Sequence, residues 1–239
     1  MVFYINSLEI NNFILLILSM ADLVFIIAMQ NEADAIILHM TNINTKSIYN
    51  FQIITWELFN RTVAIVICWV WKVNASRATQ YAIDILWAKR IVNVWFAWWL
   101  NEFMDIWECY QIKAAVEYDF DLAELNRTDV WVLNEFSDKY LYTQEIAWFE
   151  SKILGTWDRF NDSKTDYQLL INEIHADVRD MEWAAIIHTA IHANIPVFMF
   201  KCISDIAGNT PTIEQYQENV KLCSEKLSQT INKIVDSIP

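Results

Sequence analysis

The sequence predicts an α/β fold of three layers, in which helices flank both faces of a mostly parallel, mixed central sheet. Short apolar runs rich in branched residues, such as residues 23–29, are typical of strands buried on both faces. These runs alternate along the chain with segments of helical periodicity, and such alternation favours a parallel sheet. An apolar fraction of 55% in 239 residues is ample for the core of one large domain.

The elements of the first half follow from local patterns. Branched apolar runs predict the strands, and apolar residues at helical spacing predict the helices. Asn74 stands at the start of one helical pattern and is predicted as its N-cap, and a turn at Asn60 and Arg61 joins two strands. In order, the predicted elements are a strand at 23–29, a helix at 32–40, strands at 48–56 and 62–68, a helix at 74–86 and a strand at 90–94.

The second half continues the alternation after a long segment, residues 121–150, that carries few signals. Pro211 stands just before a long amphipathic pattern, where proline favours the start of a helix. In order, the predicted elements are strands at 108–118 and 152–156, helices at 166–174 and 181–193, a strand at 197–203 and a helix at 212–238.

The first 21 residues are treated separately from residues 22–239, which are predicted to form one domain. Residues 13–21 are an apolar run as long as the core of a signal peptide, but no Lys or Arg precedes them. The run is also too short to span a bilayer. We therefore favour an N-terminal extension or a wrong start over a secretory leader, and we expect no membrane partner.

Charge and cysteine usage narrow the functional classes. The net charge of −13 argues against nucleic acid as a partner, because polyanion binding needs a basic face. The four cysteines are widely spaced and form no CxxC pair. We expect reduced, buried thiols and a cytoplasmic location.

Two histidines have the spacing of metal ligands without further support. His188 and His192 lie four residues apart on one predicted helix, but the sequence shows neither an HExxH motif nor a third ligand nearby. Surface or core histidines are the favoured interpretation, and no metal is expected.

Several acidic residues follow predicted strands, where ligand loops lie in α/β folds. Glu32 is placed to act as a general base toward water, or simply to stabilise the first turn of a helix. Asp205 ends the last strand, where a buried acid can protonate a leaving group or merely cap a turn. Glu182 can accept hydrogen bonds from a diol, and Phe160 can stack on a base or pack in the core.

Tryptophan stands where glycine is expected in several turns. The chain has 12 tryptophans and two glycines, whereas average glycine usage is about 7%. With Gly in place of Trp, the turns after the strands become CGVGK (68–72), NVGFAGG (93–99), GTGD (155–158) and MEGAA (181–185).

With these glycines, the motif order resembles that of the 5'-methylthioadenosine/S-adenosylhomocysteine nucleosidases. The segments are AMQNE (28–32), the CGVGK-like and NVGFAGG-like turns, TWDRF (156–160), DMEWAA (180–185) and CISDIAG (202–208), and the resemblance covers residues 22–239. Their order is typical of the wider nucleoside phosphorylase-like superfamily, and AMQNE favours the nucleosidase branch. The resemblance implies a phosphorylase/hydrolase-like fold, a homodimer, a purine nucleoside substrate, and neither cofactor nor metal.

Carried across by position, the resemblance implies a role for each motif residue. Glu32 would position and deprotonate the attacking water, and Asp205, oriented by Ser204, would protonate or hydrogen-bond the purine N7. Glu182 would hold the ribose hydroxyls. The remaining implied substrate contacts are Met181 under the sugar, Phe160 against adenine, and Met29 and Phe96 within their motifs.

The tryptophans conflict with such a site. Trp95, Trp98 and Trp99 occupy the turn that lies against the nucleoside in the family, and there they are expected to fill or unfold the pocket. Our hypothesis is that many of them arise from translating a reassigned UGA codon, read as Gly in the cell, as Trp. The competing hypothesis is a degenerate homologue with a blocked pocket.

Two other functions stay open on sequence alone. A purine nucleoside phosphorylase would need a cationic phosphate clamp, for which Arg61, Arg77 and Lys72 are candidates without a convincing motif. A non-catalytic nucleoside-binding or storage protein on the same fold is the third reading, because fold does not fix function.

Overall fold

The structure is a computed structural model that describes residues 20–59, 61–100, 108–159, 163–206 and 212–239. The proposed extension, apart from residues 20 and 21, lies outside these residues, as do Asn60, Phe160 and Pro211. Within the described residues, no helix is both long enough and apolar enough to cross a membrane.

Ten strands and six helices alternate along the described chain. The strands are β1 Leu23–Ile27, β2 Thr41–Ile48, β3 Phe51–Leu58, β4 Arg61–Ile67, β5 Ile91–Trp99, β6 Cys109–Glu117, β7 Leu141–Tyr142, β8 Ser151–Thr156, β9 Val178–Asp180 and β10 Val197–Ile206. The helices are α1 Gln30–Ile37, α2 Lys72–Asp84, α3 Ala123–Asn126, α4 Lys164–Leu169, α5 Trp183–His192 and α6 Thr212–Ser237; a π-helical turn, Leu170–Ile174, follows α4.

The strands form one mixed sheet with the order β10-β6-β8-β9-β5-β1-β4-β3-β2. Its centre is parallel, since β1 pairs with β4 and β5, and β5 pairs with β10. Because β5 also pairs with β9, strands β5, β10, β6, β8 and β9 close into a circuit. This closure places the short strand β9 antiparallel to the last residues of β5, where Arg179 pairs with Trp98, and the end of β10 beside the end of β5.

The helices pack in two pairs against this sheet, α1 with α6 and α2 with α5. Strand β1 is buried along its whole length, as its branched apolar sequence predicts. The predicted three-layer α/β class with a mixed sheet is confirmed.

Several predicted boundaries are wrong. Strand β5 continues through the segment expected to be a turn and ends at Trp99. Helix α2 begins at Lys72, so Asn74 is not its N-cap; it lies in the first turn and donates to the Val70 carbonyl. Strand β2 was not predicted, because this edge strand is polar and mostly exposed.

The expectation of four reduced thiols is wrong for two of the cysteines. Cys109 of β6 and Cys202 of β10 stand directly opposite each other in the antiparallel register and form a disulfide. They are 93 residues apart in sequence, so their spacing gave no sign of the pairing. Cys68 and Cys223 are buried thiols outside this disulfide, as predicted.

Candidate active site

The predicted site residues come from elements that end at one edge of the sheet. Strands β1, β5 and β10 are mutually parallel, so their carboxyl ends lie together. Glu32 follows β1 in the first turn of α1, and Glu182 follows β9 at the start of α5. Asp205 lies near the end of β10, where its backbone is paired with Trp98 of β5.

Glu32 is fully buried, which a helix-capping role alone does not require. Its Oε2 accepts a hydrogen bond from the Met29 amide at 3.1 Å, as a first-turn acid does. Its Oε1 is buried and accepts no hydrogen bond from the described residues. Burial raises the pKa of Glu32 well above its ordinary range, and the charge of Glu182 raises it further, while Lys201 acts in the opposite direction. This pattern is typical of a carboxyl held for proton transfer.

Glu182 is held by two backbone amides. Its Oε1 accepts from the Trp71 amide at 3.3 Å and its Oε2 from the Met181 amide at 3.2 Å. Burial and the charge of Asp180 raise the pKa of Glu182 to about 8. The carboxyl is thus fixed in position by loops from two distant parts of the chain.

Lys201 is a buried charged residue that the motif analysis did not single out. Its Nζ lies 3.1 Å from Asp180 Oδ2, with the two side chains 0% and 2% exposed. Burial lowers the pKa of Lys201, while the charges of Asp180, Glu182 and Glu32 raise it. A lysine inside the apolar run of β10 was the available signal, because an unpaired lysine is rarely buried.

Asp180 anchors this group to the sheet. The Thr156 hydroxyl donates to Asp180 Oδ1 at 2.8 Å and accepts from the Ala184 amide at 3.0 Å. Lys201 pairs with Asp180 and is close enough to Glu182 and Glu32 for their charges to shift its pKa, and all four residues are buried. Glu32, Asp180, Glu182 and Lys201 are therefore described as one buried charged cluster.

Tryptophan rings enclose the ammonium of this cluster. Lys201 Nζ lies 3.7 Å from the centre of the Trp183 ring and 5.3 Å from that of Trp95. Both rings are buried. They occupy space beside the carboxyls, as expected of Trp at these two motif positions.

The other predicted substrate contacts lie around this cluster or outside the described side chains. Met181 and Phe96 are buried, Met29 is half-buried, and the buried Ser204 donates to the Ala97 carbonyl. Phe160, and the side chains of Asp205, Trp98 and Trp99, lie outside the description, and so does the predicted contact between Ser204 and the Asp205 carboxyl.

A cleft opens beside the start of α1. Its volume is about 810 Å³, and its lining includes Met29, Gln30, Phe51, Ile67 and Trp69. Met29 links the cleft to Glu32, whose carboxylate accepts the Met29 amide. The cleft therefore offers a route for a small molecule toward this edge of the sheet.

The three candidates for a phosphate clamp are engaged elsewhere. Lys72 Nζ lies 2.7 Å from Glu117 and 2.6 Å from Asp119. Arg61 donates to the Ile238 carbonyl, and Arg77 lies over the Phe51 ring. They do not converge on one anion.

Comparison with known proteins shows which proteins this chain resembles. A 5'-methylthioadenosine/S-adenosylhomocysteine nucleosidase of Buchnera aphidicola subsp. Acyrthosiphon pisum is 25% identical over 206 residues, which are 81% of this chain and 88% of that protein. The predicted resemblance to these nucleosidases is confirmed.

Solved structures share the fold. A Helicobacter pylori 5'-methylthioadenosine/S-adenosylhomocysteine nucleosidase, bound to a 4-aminopyrrolopyrimidine thioether, has a TM-score of 0.84 at 16% identity; the match covers 92% of this chain and 100% of that one. A futalosine hydrolase of the same organism has a TM-score of 0.84 at 16% identity, with 92% and 99% covered. Residues 22–236 match the family model described as the Phosphorylase superfamily. This chain therefore belongs to the Phosphorylase superfamily.

Proposed function

We propose that this protein hydrolyses the N-glycosidic bond of 5'-methylthioadenosine or S-adenosylhomocysteine and releases adenine. The observation that carries the proposal is the meeting of Glu32 and Glu182 in one buried cluster at the edge where β1, β5 and β10 end. These residues are 150 positions apart in sequence, and each belongs to a motif from which the nucleosidase resemblance implies its role. The name of the Buchnera relative supports the substrate class.

Glu32 is the proposed general base. A carboxylate in a buried site is a stronger base than one in water, because burial raises its pKa. It takes a proton from water as the water oxygen bonds to C1' of the ribose. The carbon–nitrogen bond to adenine breaks at the same centre, and its electron pair leaves with the purine.

Glu182 is the proposed acceptor for the ribose hydroxyls. Two backbone amides fix its carboxyl, so little reorganisation is needed when the sugar binds. Above about pH 8, where Glu182 has lost its proton, its negative charge beside the ribose also stabilises the positive charge that develops there in a ribocation-like transition state.

Asp205 is the proposed acid that donates a proton to N7 of the departing adenine, with Ser204 as the residue that orients it. After each turnover Glu32 releases the proton that it took to solvent, and Asp205 takes up a proton from solvent to replace the one that it gave. The position of Asp205 near the end of β10, beside β5, supports this role.

The contacts of the three cationic side chains that could bind phosphate favour hydrolysis over phosphorolysis. Lys72, Arg61 and Arg77 are held by carboxylates, a carbonyl and an aromatic ring. A phosphorylase needs several cations around one phosphate, and these three do not provide that clamp.

The test is adenine release from 5'-methylthioadenosine, measured with and without phosphate. We expect phosphate-independent release, and loss of kcat by about 10²–10⁴-fold in Glu32→Gln. Glu57→Gln, an exposed glutamate on β3, is the matched control and is expected to keep full activity. Strict dependence on phosphate would instead show a phosphorylase.

Because tryptophans at the motif positions are expected to fill or unfold the pocket, the assay needs a second protein for comparison. The same assay is run on a version with Gly at Trp69, Trp71, Trp95, Trp98 and Trp99, next to the chain as written. If the folded glycine version binds nucleoside but releases no adenine, the non-catalytic binding protein replaces the hydrolase.

We also propose that the protein assembles as a homodimer, which the family resemblance implies. Sedimentation equilibrium tests the assembly: a monomer at micromolar concentration contradicts it.

A further inference from the structure

A cluster of two histidines and one glutamate lies on the surface, outside the buried carboxyl cluster. His188 and His192 are one turn apart on α5, and Glu135 comes from the irregular segment between α3 and β7. Glu135 Oε1 lies 2.5 Å from His188 Nε2 and 3.3 Å from His192 Nε2. The three potential ligand atoms all lie within 4.8 Å of one another.

We propose that Glu135, His188 and His192 form a zinc-binding site. The two histidines have metal-ligand spacing in the sequence, but no third ligand is visible there, because Glu135 lies 53 residues before His188. The fold supplies that ligand. Two imidazole nitrogens and one carboxylate oxygen are a donor set that Zn²⁺ accepts, with a fourth position left for water.

Two of the three separations between the potential ligand atoms are close to those of a loaded site, and the two histidine nitrogens lie within 4.8 Å of each other. A tetrahedral zinc with bonds of about 2.0–2.1 Å places its ligand atoms roughly 3.3 Å apart. The distance from His192 to Glu135 already has this value, and Glu135 needs to retreat from His188 by less than an ångström. The Glu135 side chain is 40% exposed and free to make this movement, and an ion has access from solvent.

Neighbouring residues hold the two imidazoles in place. Phe136 packs against both rings, with centroid distances of 5.5 Å to His188 and 5.8 Å to His192. On the other side of His188, its Nδ1 lies 3.9 Å from Glu117 Oε2. This separation is longer than a hydrogen bond, so Glu117 lies near the second ring nitrogen without bonding to it; a carboxylate there orients a metal-binding histidine once the two groups close to hydrogen-bond distance.

Glu117 is itself fixed, because Lys72 Nζ lies 2.7 Å from its Oε1. The ligand set is therefore supported from three sides, by a helix, an aromatic ring and a carboxylate. A simple ion pair would need only Glu135 and one histidine. Because both histidine nitrogens lie near the same Glu135 oxygen, the arrangement favours one metal ion bound by all three residues.

Calorimetric titration with ZnCl₂ tests the proposal on untagged protein that has been dialysed against a chelator. We expect one site per chain, with affinity reduced at least about tenfold in Glu135→Gln and in His192→Gln. The matched controls are His39→Gln and His175→Asn, which change the other two histidines of the chain and leave the affinity unchanged. Excess Mg²⁺, which prefers all-oxygen ligands, does not compete.

Cobalt gives a second readout that does not depend on affinity. Co²⁺ in a four-coordinate site is expected to produce strong visible absorption that Zn²⁺ then abolishes, and Glu135→Gln is expected to remove it. Circular dichroism confirms that each variant is folded. Absence of zinc binding, or equal binding by the ligand variants and the control variants, overturns the proposal.

Discussion

Trp71 has a backbone conformation that residues with a Cβ avoid. Its φ of 99° and ψ of 144° lie in a region used almost only by glycine. The side chain is also about half exposed, so its removal costs little burial. We expect Trp71→Gly to raise the free energy of unfolding by about 1–3 kcal/mol, measured by urea denaturation.

Trp148 provides the matched control for this change. It is an exposed tryptophan that has no positive φ, and its indole N–H donates to Ser237. Trp148→Gly is expected to lower stability slightly, because glycine adds chain entropy to the unfolded state. Equal effects of the two substitutions would show that backbone strain at Trp71 is not the cause.

Glu182 makes stability depend on pH. Its pKa is about 8 in the folded protein, against an ordinary value of 4.5. Between these values the folded state holds a proton that the unfolded chain has lost, so its contribution to stability falls as pH rises from about 4.5 to about 8. Glu182→Gln removes this titration, and we expect a flatter dependence of unfolding free energy on pH. Glu57→Gln keeps the parent slope; the same slope in Glu182→Gln would refute the argument.

At the scale of elements, β9 and β10 are joined by the buried pair of Asp180 and Lys201. Lys201→Met leaves the Asp180 carboxylate buried without its partner, which costs about 3–5 kcal/mol. We expect that loss in urea denaturation, and partial recovery when Asp180→Asn is added. Lys221→Met, from an exposed pair on α6, is expected to change stability little. Additive effects of the two buried substitutions would contradict the pairing.

Particular elements show what sequence patterns predict and what they miss. The branched run of β1 was predicted because burial on both faces requires a continuous apolar segment, and the pattern of α6 was predicted because burial of one face imposes a helical period. The polar edge strand β2 carries no such period. At the site, motif order pointed to Glu32 and Glu182, and the lysine within the apolar run of β10 was a further signal. The pairing of Lys201 with Asp180 and the approach of Glu135 to His188 depend on contacts that only the folded chain creates.

At the scale of the whole molecule, the scarcity of glycine and the backbone conformation of several tryptophans both indicate that glycine codons have been read as tryptophan. Two glycines in 239 residues compare with about 7% in an average protein. Eleven non-glycine residues of the described chain have positive φ, and four are tryptophans: Trp69, Trp71, Trp87 and Trp131. Asparagine tolerates this region and tryptophan does not, so chance placement explains the asparagines better than the tryptophans.

We therefore predict UGA, read as glycine in the cell, at the codons for these four positions. A protein with Gly at all four is expected to be more stable than the chain as written by several kcal/mol, because strain of roughly 1–3 kcal/mol is relieved at each site. Trp69 and Trp71 are neighbours, so their two contributions need not add. The coding DNA and the melting temperatures of both proteins are the measurements. UGG at these codons, together with an unchanged melting temperature, would mean that the tryptophans are genuine and that the fold has adapted to them.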